Sequence, residues 1–180
     1  MDYYFLPKEH SRKFDDITKG FKKKLAKFNP SVNSVKIKNY FDNGYGEKGS
    51  LKLLYDDGLI DSPDDFKGIY IFVKGRVPIY TGISKGVVKR LIQHTKGHNH
   101  HTSSFAYALA KATYQKETGN YERVTRKNFN FKEHVGPAKE FLLSQKIAFM
   151  KIEDDYELCL FEIYCAMELK TLMYNNFSTH

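Results

Sequence analysis

The segment from Gly68 to Gly82, GIYIFVKGRVPIYTG, constrains the chain more than any other stretch. Two runs of apolar, β-branched and aromatic residues flank Lys74-Gly75-Arg76. Glycine supplies the positive φ that a tight reversal needs, so the segment is expected to fold as a β-hairpin. If the reversal centres on Gly75, residues whose numbers sum to 150 face one another, and Tyr70 stands directly opposite Tyr80. Directly opposed strand residues have Cβ atoms about 5 Å apart, so both phenols would converge on one face. The plainer alternative is an aromatic cross-strand pair packed into the core.

Periodicity organises the rest. Val87 to His94 reads as a helix and Thr102 to Tyr114 as another, with serine and threonine available as N-caps. Gln115 to Glu133 is polar and basic and is expected to be a surface excursion. A helix from Pro137 to about Gln145, a strand from Ile147 to Ile152 and a helix from Asp155 to Leu172 complete the order β, β, α, α, insertion, α, β, α from Asp65 onward. Upstream, Phe14, Ile17, Phe21, Leu25 and Phe28 recur at three- and four-residue steps, which predicts one amphipathic helix ending before Pro30. Its polar face carries Lys22 and Lys23 among five lysines. Ser34 to Phe41 reads as a short strand, Ser50 to Tyr55 as a helix, and Asp56 to Lys67, with five aspartates, as a linker. The expected fold class is α/β: a small three-stranded antiparallel sheet flanked by helices over residues 66–180, interrupted near 115–133. Residues 1–65 form a basic α+β N-terminal extension.

Charge narrows the function classes. The net +8 is segregated: residues 8–38 hold ten Lys/Arg against three Asp/Glu, and residues 74–132 hold twelve against two. Such segregation suits a protein that holds a polyanion, and equally a set of solvated lysine-rich faces. Cys159 and Cys165 match neither a disulfide framework nor a zinc-ligand spacing. The start, MDYYFLPKEH, lacks the layout of a signal peptide, and no window approaches the roughly 18 apolar residues of a membrane span. The expectation is a cytoplasmic protein with no membrane partner.

Three further polar groups stand out. Arg90 and His94 lie four apart on one helix and share a face beside the apolar Val87, Val88, Leu91 and Ile92. In the last helix Leu158, Phe161, Cys165, Leu169 and Leu172 form an apolar stripe, with Glu162 about 60° from its centre. A carboxylate so placed is partly desolvated and needs a cation, either a divalent metal or a structural arginine.

Gly68-Ile69-Tyr70, nine residues, then Tyr80-Thr81-Gly82 resembles the signature of the GIY-YIG nuclease superfamily, with threonine in place of the usual central isoleucine. Arg90 eight residues after Gly82, His94 four later, Glu162 in an apolar helix and Asn175 beyond it follow the family's order. The resemblance spans roughly Lys67 to Phe177. It implies a GIY-YIG fold and a metal-dependent endonuclease that hydrolyses DNA phosphodiesters, with Tyr70, Tyr80, Arg90, His94 and Glu162 as the catalytic set. Glu162 would bind one Mg²⁺ or Mn²⁺, Tyr70 would activate water, Arg90 would stabilise the transition state and Tyr80 would position the phosphate. Asn175 would act behind these groups. His101 is a weaker candidate, as are Lys22, Lys23, Arg123, Arg126 and Lys127 as contacts to a phosphate backbone. Double-stranded DNA is the expected partner, the enzyme being bacterial in type, nucleoid-associated when acting, and open to homodimer formation. Two rivals are a catalytically silent nucleic-acid-binding module and an RNA-directed nuclease of the same fold. A zinc site at His94, His98, His100 and His101 is a minor alternative, since no suitably spaced cysteine or carboxylate accompanies them.

Overall fold

The computed structural model describes residues 13–42, 44–99, 101–119, 129 and 131–175. Its elements run α1 (Phe14–Thr18), α2 (Phe21–Phe28), β1 (Val35–Lys36), α3 (Ile37–Phe41), α4 (Glu47–Asp56), β2 (Gly68–Lys74) and β3 (Val77–Ser84). There follow α5 (Val87–Lys96), α6 (Ser104–Thr118), α7 (Phe131–Leu143), β4 (Lys146–Lys151) and α8 (Asp155–Glu168). The architecture is mixed α/β around a four-stranded antiparallel sheet in the order β1-β4-β2-β3. No helix among the described residues is long and apolar enough to cross a membrane.

The sheet has one strand more than the three expected. In the Ser34 to Phe41 stretch only Val35 and Lys36 are extended, paired with Ile147 and Lys146; Ile37–Phe41 is helical. Ile37, Tyr40 and Phe41 are all buried, a spacing that one face of a helix satisfies and that alternation along a strand would break by turning Tyr40 away from the others. The single helix expected from Phe14 to Phe28 is two helices, broken at Lys19-Gly20, where glycine has low helix propensity. Conversely, α7 starts six residues before Pro137, and Val135 within it is fully buried in the core.

The hairpin reverses at Gly75, whose φ of +63° is the left-handed value expected there. Its register differs from the expected one. An irregularity between Phe72 and Val73 moves the partners beyond it to a sum of 152, so Tyr70 faces Gly82 and Tyr80 faces Phe72. Ile79 is the residue left without a partner across the ladder, next to Pro78, which has no N–H to donate. Tyr70 and Tyr80 therefore share a face diagonally rather than directly.

β2 lies between β4 and β3, and all of its residues from Gly68 to Val73 are buried, which explains its unbroken apolar run. Tyr70 and Phe72 face a layer built on α3, α4, α5, α6 and α7. Ile69, Ile71 and Val73 face α1, α2 and α8, with Phe21 set edge-on to Phe161 at 5.0 Å. Residues ahead of Asp65 thus supply apolar contacts to both layers. Gly68 opposes Lys151, and a Cβ there would fall 2.2 Å from the Met150 carbonyl oxygen, so this glycine lets β2 and β4 meet.

Candidate functional site

The free edge of the sheet, at β3, is where side chains from both layers meet. Tyr70 on β2 is 1% exposed, and its hydroxyl lies 2.8 Å from Nε2 of His94 on α5. The Tyr80 ring, centred 6.2 Å from that of Tyr70, stacks on Phe105 of α6 at 4.1 Å and an interplanar angle of 16°. Phe105 also packs edge-on against Phe72 and His94. It therefore fixes two groups of the site at once. Nothing in its own sequence context separates it from an ordinary apolar helix residue.

Gly82 makes room for this arrangement. A Cβ at that position would sit 2.6 Å from both Cζ and Oη of Tyr70 and 2.9 Å from Cε1 of Tyr80.

The helix carrying Arg90 and His94 is anchored from a distance. Gly86 at its N-cap offers no side chain, and Asp65 supplies the missing acceptors: Oδ1 accepts from Val88 N–H at 2.9 Å and Oδ2 from Lys89 N–H at 3.0 Å. Oδ1 also accepts from Phe66 N–H at 2.8 Å. Asp65, one of the aspartates expected to be linker, is thus a remote cap for α5, placing negative charge at the positive end of the helix dipole. Asp65→Ala is expected to lower stability by about 1 to 2 kcal/mol, read by urea denaturation. An unchanged midpoint would show that α5 does not depend on it.

Arg90 is held by α5 itself, by the chain between α5 and α6, and by the first residue of α6. Nη2 donates to Ser104 Oγ at 2.7 Å, and Nη1 to Gln93 Oε1 at 3.2 Å and to the Thr102 carbonyl at 3.3 Å. His101 enters through its main-chain carbonyl, 3.5 Å from Nη1. The electrostatics follow from burial against this cation. Burial, then the Tyr80 charge, raises the Tyr70 phenol well above its ordinary range, opposed by the charge and hydrogen bonding of Arg90. Burial likewise raises Tyr80, with Arg90 opposing and Glu162 adding to the rise. Burial, then Arg90, pushes His94 down to about 3, so its imidazole is neutral.

Among the described residues the buried Nδ1 of His94 has no hydrogen-bond partner. A bare lone pair there costs less than a stranded N–H, so the proton belongs on Nε2, which donates to the Tyr70 oxygen.

Glu162 on α8 completes the set. Burial raises its carboxyl to about 7, and among the described residues it forms no salt bridge. A partly desolvated carboxylate with no salt bridge among the described residues fits a hard divalent ion. No group of three or more His, Cys, Asp or Glu that could hold a metal occurs among the described residues, so Glu162 would hold an ion with at most one other such side chain of the described residues. Mg²⁺ tolerates this, since it retains much of its water.

The raised carboxyl predicts a pH dependence. An unfolded chain ionises Glu162 near 4.5 while the fold keeps its proton to about 7, so the folded state binds the extra proton in that window and stability falls as pH rises through it. In EDTA, the melting temperature of the wild type is expected to drop relative to Glu162→Gln between about pH 5 and about pH 7.5. Parallel profiles for the two proteins would remove the basis for a desolvated carboxyl.

The remaining candidates are distributed differently. Asn175 reaches β3, where its Nδ2 donates to the Thr81 carbonyl and its Oδ1 accepts from Thr81 N–H at 3.4 Å. Lys22 and Lys23 are exposed on α2, in the layer on the other side of the sheet from Tyr70. Arg123, Arg126 and Lys127, with His100, lie outside the described residues. No family model matches this chain, and neither a curated protein nor a solved structure matches it.

Proposed function

We propose that this chain is a metal-dependent endonuclease with a GIY-YIG site, carried on that family's fold with β1 as an added edge strand. One observation supports the reading above all. Tyr70, Tyr80, Arg90, His94 and Glu162, from four separate elements, are close enough for each to act on the charge or hydrogen bonding of another. A core pair of tyrosines would need neither the arginine nor a partly desolvated carboxylate beside it.

The reaction is hydrolysis of a phosphodiester: a water oxygen bonds to phosphorus, the bond from phosphorus to the 3′-oxygen breaks, and that oxygen takes a proton from solvent water to leave as a hydroxyl. Glu162 would hold Mg²⁺ or Mn²⁺, which would supply Lewis-acid stabilisation of developing negative charge. Tyr70 takes the proton of the attacking water. A buried phenol is a poor base by itself, and two features of the site favour its anion: the His94 Nε2–H donor and the Arg90 guanidinium. Arg90 also faces the negative charge that grows on the phosphorane-like transition state, where a fixed donor contributes most. Tyr80, clamped on Phe105, offers its hydroxyl to a phosphate oxygen. Duplex DNA is the proposed substrate, drawn by the basic segments of the chain.

Incubation of supercoiled plasmid with the purified protein tests this directly. Nicked or linear product in Mg²⁺ or Mn²⁺ but not in EDTA is the expected result. No cutting of duplex, single-stranded or branched DNA would overturn the reading, and cutting confined to RNA would transfer it to an RNA-directed enzyme.

A further inference from the structure

Thr81 occupies the middle of the Tyr80-Thr81-Gly82 triplet on β3, an edge strand of the sheet, and the layer it faces is mostly apolar. Its side chain faces the layer of Ile71, which it opposes across the ladder, and it is fully buried. One group nearby satisfies it: Thr171 Oγ1, at 2.8 Å and 2% exposed. A lone hydroxyl in that layer would be a buried, unpaired polar group, and the pair removes the penalty on both sides.

Thr171 is itself fixed to α8. The helix ends in a Schellman turn, with Lys170 at φ +56°, Lys170 N–H donating to the Met167 carbonyl and Thr171 N–H to the Ala166 carbonyl at 2.9 Å. Four residues later Asn175 reaches the same target. Alternation along β3 turns the N–H and C=O of Thr81 away from β2, and the Asn175 amide meets both, as the peptide of a further strand would. The segment from Thr171 to Asn175 therefore grips Thr81 at three atoms: N, O and Oγ1.

Glu162 lies nine residues before Thr171 on α8 and its turn, while Tyr80 directly precedes Thr81. We propose that Thr171 and Asn175 are positioning residues that clamp β3 to the C-terminal end of α8 and so set the spacing between Tyr80 and Glu162. The role rests on the nuclease reading above; the clamp itself does not. A free sheet edge could shift against a helix in the opposite layer, and an error of about 1 Å between reacting groups can cost up to about 100-fold in rate. The threonine at the centre of the triplet, where the family it resembles has isoleucine, is thereby explained as half of a polar latch.

Two measurements separate the clamp from the reaction. In thermal unfolding, Thr81→Val and Thr171→Val should each lower the melting temperature by stranding the partner's hydroxyl, while the double variant loses less than the sum of the two. In steady-state cleavage, Asn175→Ala should lower kcat about 10-fold with KM within about twofold, and Asn175→Asp, which keeps the acceptor for Thr81 N–H, should fall between it and the wild type. Additive melting shifts for the threonine variants would overturn the latch, and an unchanged kcat in Asn175→Ala would overturn the positioning role. A wild type that cuts nothing would overturn the nuclease reading, and with it the positioning role, while the melting data still decide the clamp.

Discussion

Glu162→Gln is expected to reduce Mg²⁺-dependent cleavage by about 1,000-fold or more while leaving the fold and DNA binding in place. Glutamine matches the shape of the protonated acid that the site stabilises up to about pH 7, so the variant keeps the packing around α8. Among the described residues Glu162 has no salt bridge to lose. Above pH 7 the variant should even melt higher than the metal-free wild type, because it no longer carries a desolvated charge. What it loses is the anionic oxygen that holds a divalent ion. Single-turnover cleavage and anisotropy of labelled duplex, measured on the same preparations, check both halves. Cleavage within about tenfold of wild type would mean that Glu162 is a buried structural acid and that the catalytic assignment is wrong. Loss of duplex binding with preserved melting would mean that the metal serves substrate capture rather than the chemical step.

Much of the architecture was legible because it rests on local signals. The hairpin follows from its two apolar runs around a glycine that adopts φ +63°. The helix of Arg90 and His94 and the helix of Glu162 follow from their apolar spacing. The features that escaped depend on partners distant in the chain. Val35 and Lys36 are a strand only because Ile147 and Lys146 lie alongside, and the next residues turn helical to bury Ile37, Tyr40 and Phe41 together. The hairpin register is not legible locally, because the irregularity near Phe72 falls where Pro78 and Ile79 meet a strand already bonded to β4 on its other side. The same distinction runs through the site. A signature names Tyr70 and Tyr80, but the groups that hold the constellation are Asp65, Phe105 and Thr171, each an unremarked residue until the fold brings it to α5, Tyr80 and β3 respectively. Capping, stacking and hydroxyl pairing require a single neighbour at the right place, and no periodicity announces them.

Gly82→Ala should damage the protein through space rather than backbone conformation. Unlike Gly75, Gly82 does not need a positive φ; what it needs is the absence of a Cβ, which would stand 2.6 Å from Cζ and Oη of Tyr70. Neither neighbour can yield. Tyr70 is 1% exposed, its hydroxyl is bonded to His94, and its ring meets Phe72 edge-on at 6.2 Å; Tyr80 is backed by its stack on Phe105. The methyl must therefore push Tyr70 off His94 or open the β2–β3 ladder. Forcing a methyl into a packed interior costs about 1 to 3 kcal/mol, and stranding the Tyr70 and His94 polar atoms adds about 1 to 3 kcal/mol. The expected loss is about 3 kcal/mol in urea denaturation, together with cleavage too weak to detect. Combining Gly82→Ala with Tyr70→Phe removes the hydroxyl contact and the stranded phenol, so part of the stability should return while cleavage does not. Stability within about 0.5 kcal/mol of wild type in the single variant would mean that Tyr70 has room to move, and the tight Tyr70–Gly82 opposition would then be no constraint on the site. If instead stability falls and the double variant regains part of it, the glycine is explained by the phenol that lies over it.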